Sequence, residues 1–143
     1  MANRNFPNWI NAYLEYTKFS ESPSKFHFWT AVSVLAGALR RRVWIDQKYF
    51  VWIPNFYIIF VAKPGIVSKS TTADIGMSLL REVPGIHFGP NSLTWQALIQ
   101  AMHQSVDTIE DPATGELFAS SAFSIVASEL GSLLDFSDRA MID

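Results

Sequence analysis

Lys69 and Ser70 are the residues whose types and position could do the most chemistry. They close the run Lys63-Pro64-Gly65-Ile66-Val67-Ser68-Lys69-Ser70-Thr71-Thr72, which follows the apolar stretch Phe56-Tyr57-Ile58-Ile59-Phe60-Val61. A strand that feeds a tight loop, and then a helix with free N–H groups and a partial positive charge at its start, makes a cradle for phosphate. In such a cradle Lys69 reaches the β- and γ-phosphates and the Ser70 hydroxyl ligates Mg²⁺. Pro64, Gly65, Ile66, Val67, Ser68 and Thr71 then surround the nucleotide, for which ATP is the expectation. The pattern G-x-x-x-x-G-K-[ST] is met at its last two places, whereas Lys63 and Ser68 stand where it has glycine. Ser68 is small enough to take a usable loop conformation at some backbone cost. Lys63 must point away or serve as a second cation. The alternative is an ordinary turn and helix start with Lys69 and Ser70 in solvent; the hydrophobic run upstream and an acid-tipped strand downstream favour phosphate binding.

The downstream acid is Glu129, placed after the β-prone run Phe123-Ser124-Ile125-Val126-Ala127. There it would support Mg²⁺ through water or orient the attacking water, so that Lys69 and Glu129 form the catalytic pair, with Ser70 and Glu129 at the metal. Ser128 occupies the place where many such motifs have Asp. Glu129 is also compatible with the first turn of a helix, where acids are common. Asp135, Asp138 and Asp143 read as surface or cap residues. His27, His87 and His103 are not spaced as a metal motif, no cysteine supports them, and packing or surface roles are expected. Arg40-Arg41-Arg42 is the only basic cluster; a helix C-terminus that favours cations is preferred over contact with nucleic-acid phosphates. Trp44, Tyr49, Phe50 and Trp52 could stack bases, but alternating strand positions are expected to pack against a helix.

These residues need elements to position them. A short amphipathic helix is expected over 8–16, and a longer one from Pro23 or Ser24 to Leu39 with Phe28, Val32, Leu35 and Leu39 along one face and Ala31, Ala36, Gly37 and Ala38 on the slim one. Two β-rich runs around Asp46-Gln47-Lys48 predict a hairpin. The run 56–61 has the character of a strand covered on both faces, as in a parallel sheet. A helix follows from Lys69 to about Glu82, with Thr72, Ala73, Ile75, Gly76, Leu79 and Leu80 on its buried side and Gly76 close to the sheet. Pro84-Gly85 ends it. A short strand at 86–88, caps at Asn91 and Ser92 for a helix over 93–105, a surface turn or hairpin tip over 107–116, and a strand over 123–127 complete the order. The fold class is therefore α/β: a partial parallel sheet of P-loop type over 55–143, which the resemblance given below implies to be RecA-like, preceded by a helical and hairpin extension over 1–54.

Composition sets outer bounds. The chain has 143 residues, 49% hydrophobic, with no cysteine and a formal net charge of -2. That excludes a disordered tail and a surface given over wholly to nucleic acid. No stretch is apolar enough over sufficient length to cross a membrane, and no secretory leader is visible.

Taken together, Phe26-His27-Phe28-Trp29, Arg40-Arg41-Arg42-Val43-Trp44-Ile45, Pro54-Asn55-Phe56-Tyr57 and the loop 64–71 resemble a largely uncharacterised group of phage and prophage proteins. These are described as helicase-like or primase-associated ATPases of the RecA/DnaB-like class, and Ser128-Glu129-Leu130 resembles their acidic motif. The resemblance implies ATP hydrolysis coupled to work on DNA in phage replication, a homo-oligomer, and the cytoplasm of an infected or lysogenic bacterial host. It also implies that the chain is the N-terminal portion of a longer protein, able to bind nucleotide without necessarily hydrolysing it. Two other expectations stand beside it: a small phosphoryl-transfer enzyme, and a structural or assembly protein with a degenerate nucleotide site in which the hairpin and helical extension build an interface.

Overall fold

The computed structural model describes residues 6–90, 94–110 and 114–127. The described residues form two compact units, one within residues 6–38 and 55–83 and the other within residues 39–54 and 84–127.

The first unit is helical. Helix α1, Trp9–Tyr16, starts where Asn8 takes an extended conformation and its side chain accepts from the Asn11 N–H at 3.1 Å. That cap satisfies one of the donors a helix start leaves free. Helix α2 spans Ser24–Leu39 and α3 spans Lys69–Arg81. All three lie where the sequence pattern places them. The face α2 buries is different from the expected one: His27, Thr30, Ala31 and Val34 are buried, whereas Phe28 and Leu39 are exposed. Of the slim side only Ala31 is buried, and α3 approaches the buried face at Gly76. A Cβ on Gly76 would stand 2.3 Å from Thr30 Cγ2, 3.0 Å from Val34 Cγ2 and 3.5 Å from the Tyr13 hydroxyl. The close approach that Gly76 permits is therefore to helices, not to a sheet. Tyr13, Ala31, Val34, Met77 and Leu80 form the buried apolar core of this unit.

The run 55–61 corrects the expected strand of a parallel sheet. It carries no assigned strand, and none of its backbone groups is hydrogen-bonded within the described residues. Side-chain exposure nevertheless alternates from Tyr57 to Ala62, the period of two that a strand has. Phe60 stacks on Phe26 of α2 with ring centroids 4.5 Å apart. On the opposite side Tyr57, Ile59 and Val61 are 90%, 64% and 82% exposed.

The second unit holds two antiparallel pairs. Strands β1, Ile45–Asp46, and β2, Val51–Trp52, pair Ile45 with Trp52 and Asp46 with Val51. The hairpin stands where it is expected, but its apolar residues are not packed on a helix: Ile45, Tyr49, Phe50, Val51 and Trp52 are all exposed. Helix α4, Trp95–Gln104, is capped by Thr94, whose hydroxyl accepts from the Ala97 N–H at 3.2 Å. Asn91 and Ser92, the expected caps, lie outside the described residues. Strands β3, Val106–Glu110, and β4, Leu117–Ser121, form the longer ladder, from Val106 opposite Ser121 to Glu110 opposite Leu117. The expected turn over 107–116 thus begins as strand. Of the expected strands at 86–88 and 123–127, a single parallel bridge forms, between Phe88 and Ser124.

Among the described residues both sheets are two-stranded and antiparallel. The chain is α/β in content, but this is not a RecA-like core. Such a core needs several parallel strands joined by helical crossovers and buried on both faces. Here the run 56–61 has no paired neighbour among the described residues. The predicted P-loop ATPase fold, and the phage helicase-like membership that rested on it, are corrected accordingly.

Candidate functional site

The loop before α3 is formed where the sequence placed it, and its local geometry can be read residue by residue. Lys63 to Ile66 make a turn in which the Ile66 N–H donates to the Lys63 carbonyl at 3.5 Å. Gly65 takes φ +74°, a left-handed conformation that glycine adopts without a Cβ penalty, and nothing lies within 4 Å of where its Cβ would be. Pro64 is exposed, as are Lys63, Ile66 and Ser70, while Val67 and Ser68 are half-buried. Ser68 leads into α3, but its side chain makes no cap hydrogen bond. Its carbonyl instead gathers three donors: the Thr72 N–H and Thr72 hydroxyl at 3.0 Å each, and the Ser22 hydroxyl at 3.1 Å. Thr72 is fully buried, whereas Thr71 is exposed.

Lys69 does not stand out into a phosphate site. Its ammonium donates to the Ala62 carbonyl at 3.3 Å, closing the loop on itself. The helix start that could receive an anion is present, but the described residues supply no parallel sheet to give a phosphate loop its place. Glu129, the expected catalytic and metal partner, lies outside the described residues. Among the described residues no cluster of three or more His, Asp or Glu could hold a metal. The expectations of ATP and Mg²⁺ as cofactors, of ATPase or phosphoryl-transfer chemistry, and of helicase-like function are therefore corrected. The physical reason is one of assembly: a lysine and a hydroxyl next to a helix start bind nucleotide only when a paired strand and an acidic neighbour hold them in register.

Arg40 has a role that spacing alone did not disclose. It ends α2 in a left-handed conformation, φ 53°, and its largely buried side chain donates to the Gly85 carbonyl at 2.9 Å and to the Asp107 carboxylate. Arg41 donates to the Ser120 hydroxyl at 3.4 Å. Arg42 lines a cleft of about 380 Å³ with Trp44, Asp107, Thr108, Ile109 and Glu110. Arg40 and Arg41 are thus drawn to a carboxylate and a hydroxyl of the β3–β4 hairpin. The one sequence signal for this was the β-branched content of Val106, Thr108 and Ile109, a strand propensity hidden within a turn-like composition.

His27 is the other residue whose environment matters. It is 2% exposed, and neither ring nitrogen has a hydrogen-bond partner among the described residues. Burial lowers its pKa from the usual 6.5. Its ring lies 6.3 Å from that of Tyr13, whose hydroxyl is equally buried and unpartnered and whose pKa is pushed up to about 12, first by burial and then by Tyr16. The packing role expected of His27 holds; His103 is exposed and His87 half-buried.

No protein-family model, no curated protein and no solved structure matches the chain. No helix of the described residues is long and apolar enough to cross a membrane.

Proposed function

We propose that this chain is an association module that binds a second copy of itself through the strand-like run 55–63. The observation that carries this reading is the bare face of Tyr57, Ile59 and Val61 on a run whose backbone groups over residues 55–61 have no partner among the described residues. An unpaired edge with an apolar face is a template for another strand, and proteins that leave it open without charge or proline within it use it. Residues 55–62 contain neither. The other side of the run is held by the Phe26–Phe60 stack, so the edge is presented on a helix and does not hang free. A cytoplasmic setting goes with this reading, to be checked by cell fractionation. Nucleic acid is the lesser partner, since Arg40 is already engaged by Asp107.

Sedimentation velocity on the 143-residue chain tests the proposal. We expect a concentration-dependent dimer, and the same chain carrying Ile59→Lys to sediment as a monomer with unchanged helix content by circular dichroism. Ile59 is solvent-facing, so the substitution leaves the fold intact and acts on association. A wild-type chain that stays monomeric to its solubility limit, or a dimer untouched by Ile59→Lys, would sink the reading. A dimer lost on nuclease treatment would point to nucleic acid as the bridge.

A further inference from the structure

The geometry points to an acid-released latch in the first unit: protonation of His27 undocks α1 while α2 and α3 stay packed. Helix α1 has eight residues, too few to hold as a helix alone in water, so it depends on its seat. Tyr13 is the sole buried residue of α1, whereas α2 buries His27, Thr30, Ala31 and Val34 and α3 buries Thr72, Gly76, Met77 and Leu80. The Tyr13 ring centroid stands 6.3 Å from that of His27, and its hydroxyl is 3.5 Å from where a Cβ on Gly76 would be. The α2–α3 contact does not pass through Tyr13, because Thr30 and Val34 approach Gly76 directly.

The seat accepts a neutral imidazole and not a charged one. Both His27 nitrogens, the Tyr13 hydroxyl and the Thr30 hydroxyl are buried without a hydrogen-bond partner among the described residues. The buried residues of α3 carry no charge. Glu15 and Lys18 of α1 pair with each other in solvent, and Tyr16, Glu21, Lys25, Asp74 and Arg81 are exposed. Lys69 is half-buried, with its ammonium on the Ala62 carbonyl. An imidazolium at this place is a buried charge without an anion, so protonation must bring water to the ring. Displacing Tyr13 does so with the least loss of buried contact, since α1 has the weakest hold. Above the usual 6.5 the imidazole is neutral docked or undocked, and the latch is shut. Below that value the undocked form takes up the proton, and the undocked-to-docked ratio rises by at most about tenfold per pH unit. Tyr13, its pKa pushed up to about 12, stays neutral throughout.

Residue-resolved amide hydrogen exchange on the 143-residue chain tests the latch, with each rate divided by its intrinsic rate at that pH. The probes are the Leu14 and Thr17 N–H groups for α1, the latter bonded to the Tyr13 carbonyl, and those of Met77 and Leu80 for α3. We expect the α1 amides to be at least about tenfold less protected than the α3 amides at every pH, the mark of an opening confined to α1. Their protection should hold steady above 6.5 and fall below it by up to about tenfold per pH unit. In His27→Leu the same amides should keep their neutral-pH protection into acid. His27→Gln, uncharged at every pH, gives the same comparison should His27→Leu fail to fold. Protection of α1 equal to that of α3 would mean that the helices open only together, and would overturn the latch. So would α1 protection that ignores pH in the wild type, or an acid response that survives the loss of the imidazole. The association proposed above is not involved, so neither result bears on it.

Discussion

At the scale of single residues, the buried, unpartnered His27 makes the first unit sensitive to pH. The folded chain holds the imidazole neutral, with a pKa lowered by burial alone and no neighbouring charge contributing. The unfolded chain takes up the proton near the usual 6.5. Stability is therefore complete above that value and declines as pH falls below it, by at most about tenfold in the folding constant per pH unit. Urea unfolding at successive pH values should show the midpoint falling on the acid side of 6.5. His27→Leu, which keeps the volume and removes the titration, should flatten that dependence. Tyr13 works in the opposite direction: stability is full below the usual 10.0 and is lost as pH rises towards about 12, because the native hydroxyl resists ionisation. Lys69 belongs to this scale too. Its bond to the Ala62 carbonyl is a half-buried loop clip, and Lys69→Ala should cost about 0.5–1.5 kcal/mol in the same unfolding assay.

At the scale of elements, two contacts decide how helices and loops are held. Gly76→Ala gains up to about 1 kcal/mol of helix propensity. It also drives a methyl to 2.3 Å from Thr30 Cγ2, on a branched side chain with little χ1 freedom in a helix. Overpacking of that kind costs about 1–3 kcal/mol, so net destabilisation is expected. Pairing Gly76→Ala with Thr30→Ala should recover most of the loss, a non-additivity that denaturant titration of the four chains would measure. In the second unit, Arg40 joins the end of α2 to Gly85 and to Asp107 of β3. Arg40→Ala should cost about 1–3 kcal/mol, since it leaves those acceptors without their donor. Arg40→Gly loses the same bonds but relieves about 1 kcal/mol of left-handed backbone strain, so it should be the milder of the two in thermal unfolding.

At the scale of the whole molecule, large apolar side chains are exposed in both units, from Tyr57, Ile59 and Val61 to Phe50, Val51 and Trp52. If the run 55–63 pairs with a second copy, folding and association are linked, and the melting temperature must rise with protein concentration. Scanning calorimetry over a wide concentration range should show that rise in the wild type and its loss in Ile59→Lys.

Local order was legible because its signals are local. Asn8 caps α1, Pro23 precedes α2, Lys69 opens α3, and the turn around Asp46-Gln47-Lys48 divides β1 from β2. Each depends on residues three or four apart, or on one turn, and the sequence carries that information directly. Lys69 and Ser70 were equally legible as a loop and helix start, and Gly65 takes the conformation a tight loop asks of glycine. What the sequence by itself determined is thus the kind and place of most elements. Only the tertiary structure decided which face of α2 is buried, where Arg40 is held and whether the run 56–61 has a sheet to join. These depend on neighbours distant in the chain: Gly76 for α2, Asp107 for Arg40, and for the apolar run a strand that no described residue supplies. An apolar, β-prone sequence states that a strand can form, but its partner is chosen by long-range packing, and from that choice the chemistry of the adjoining loop follows.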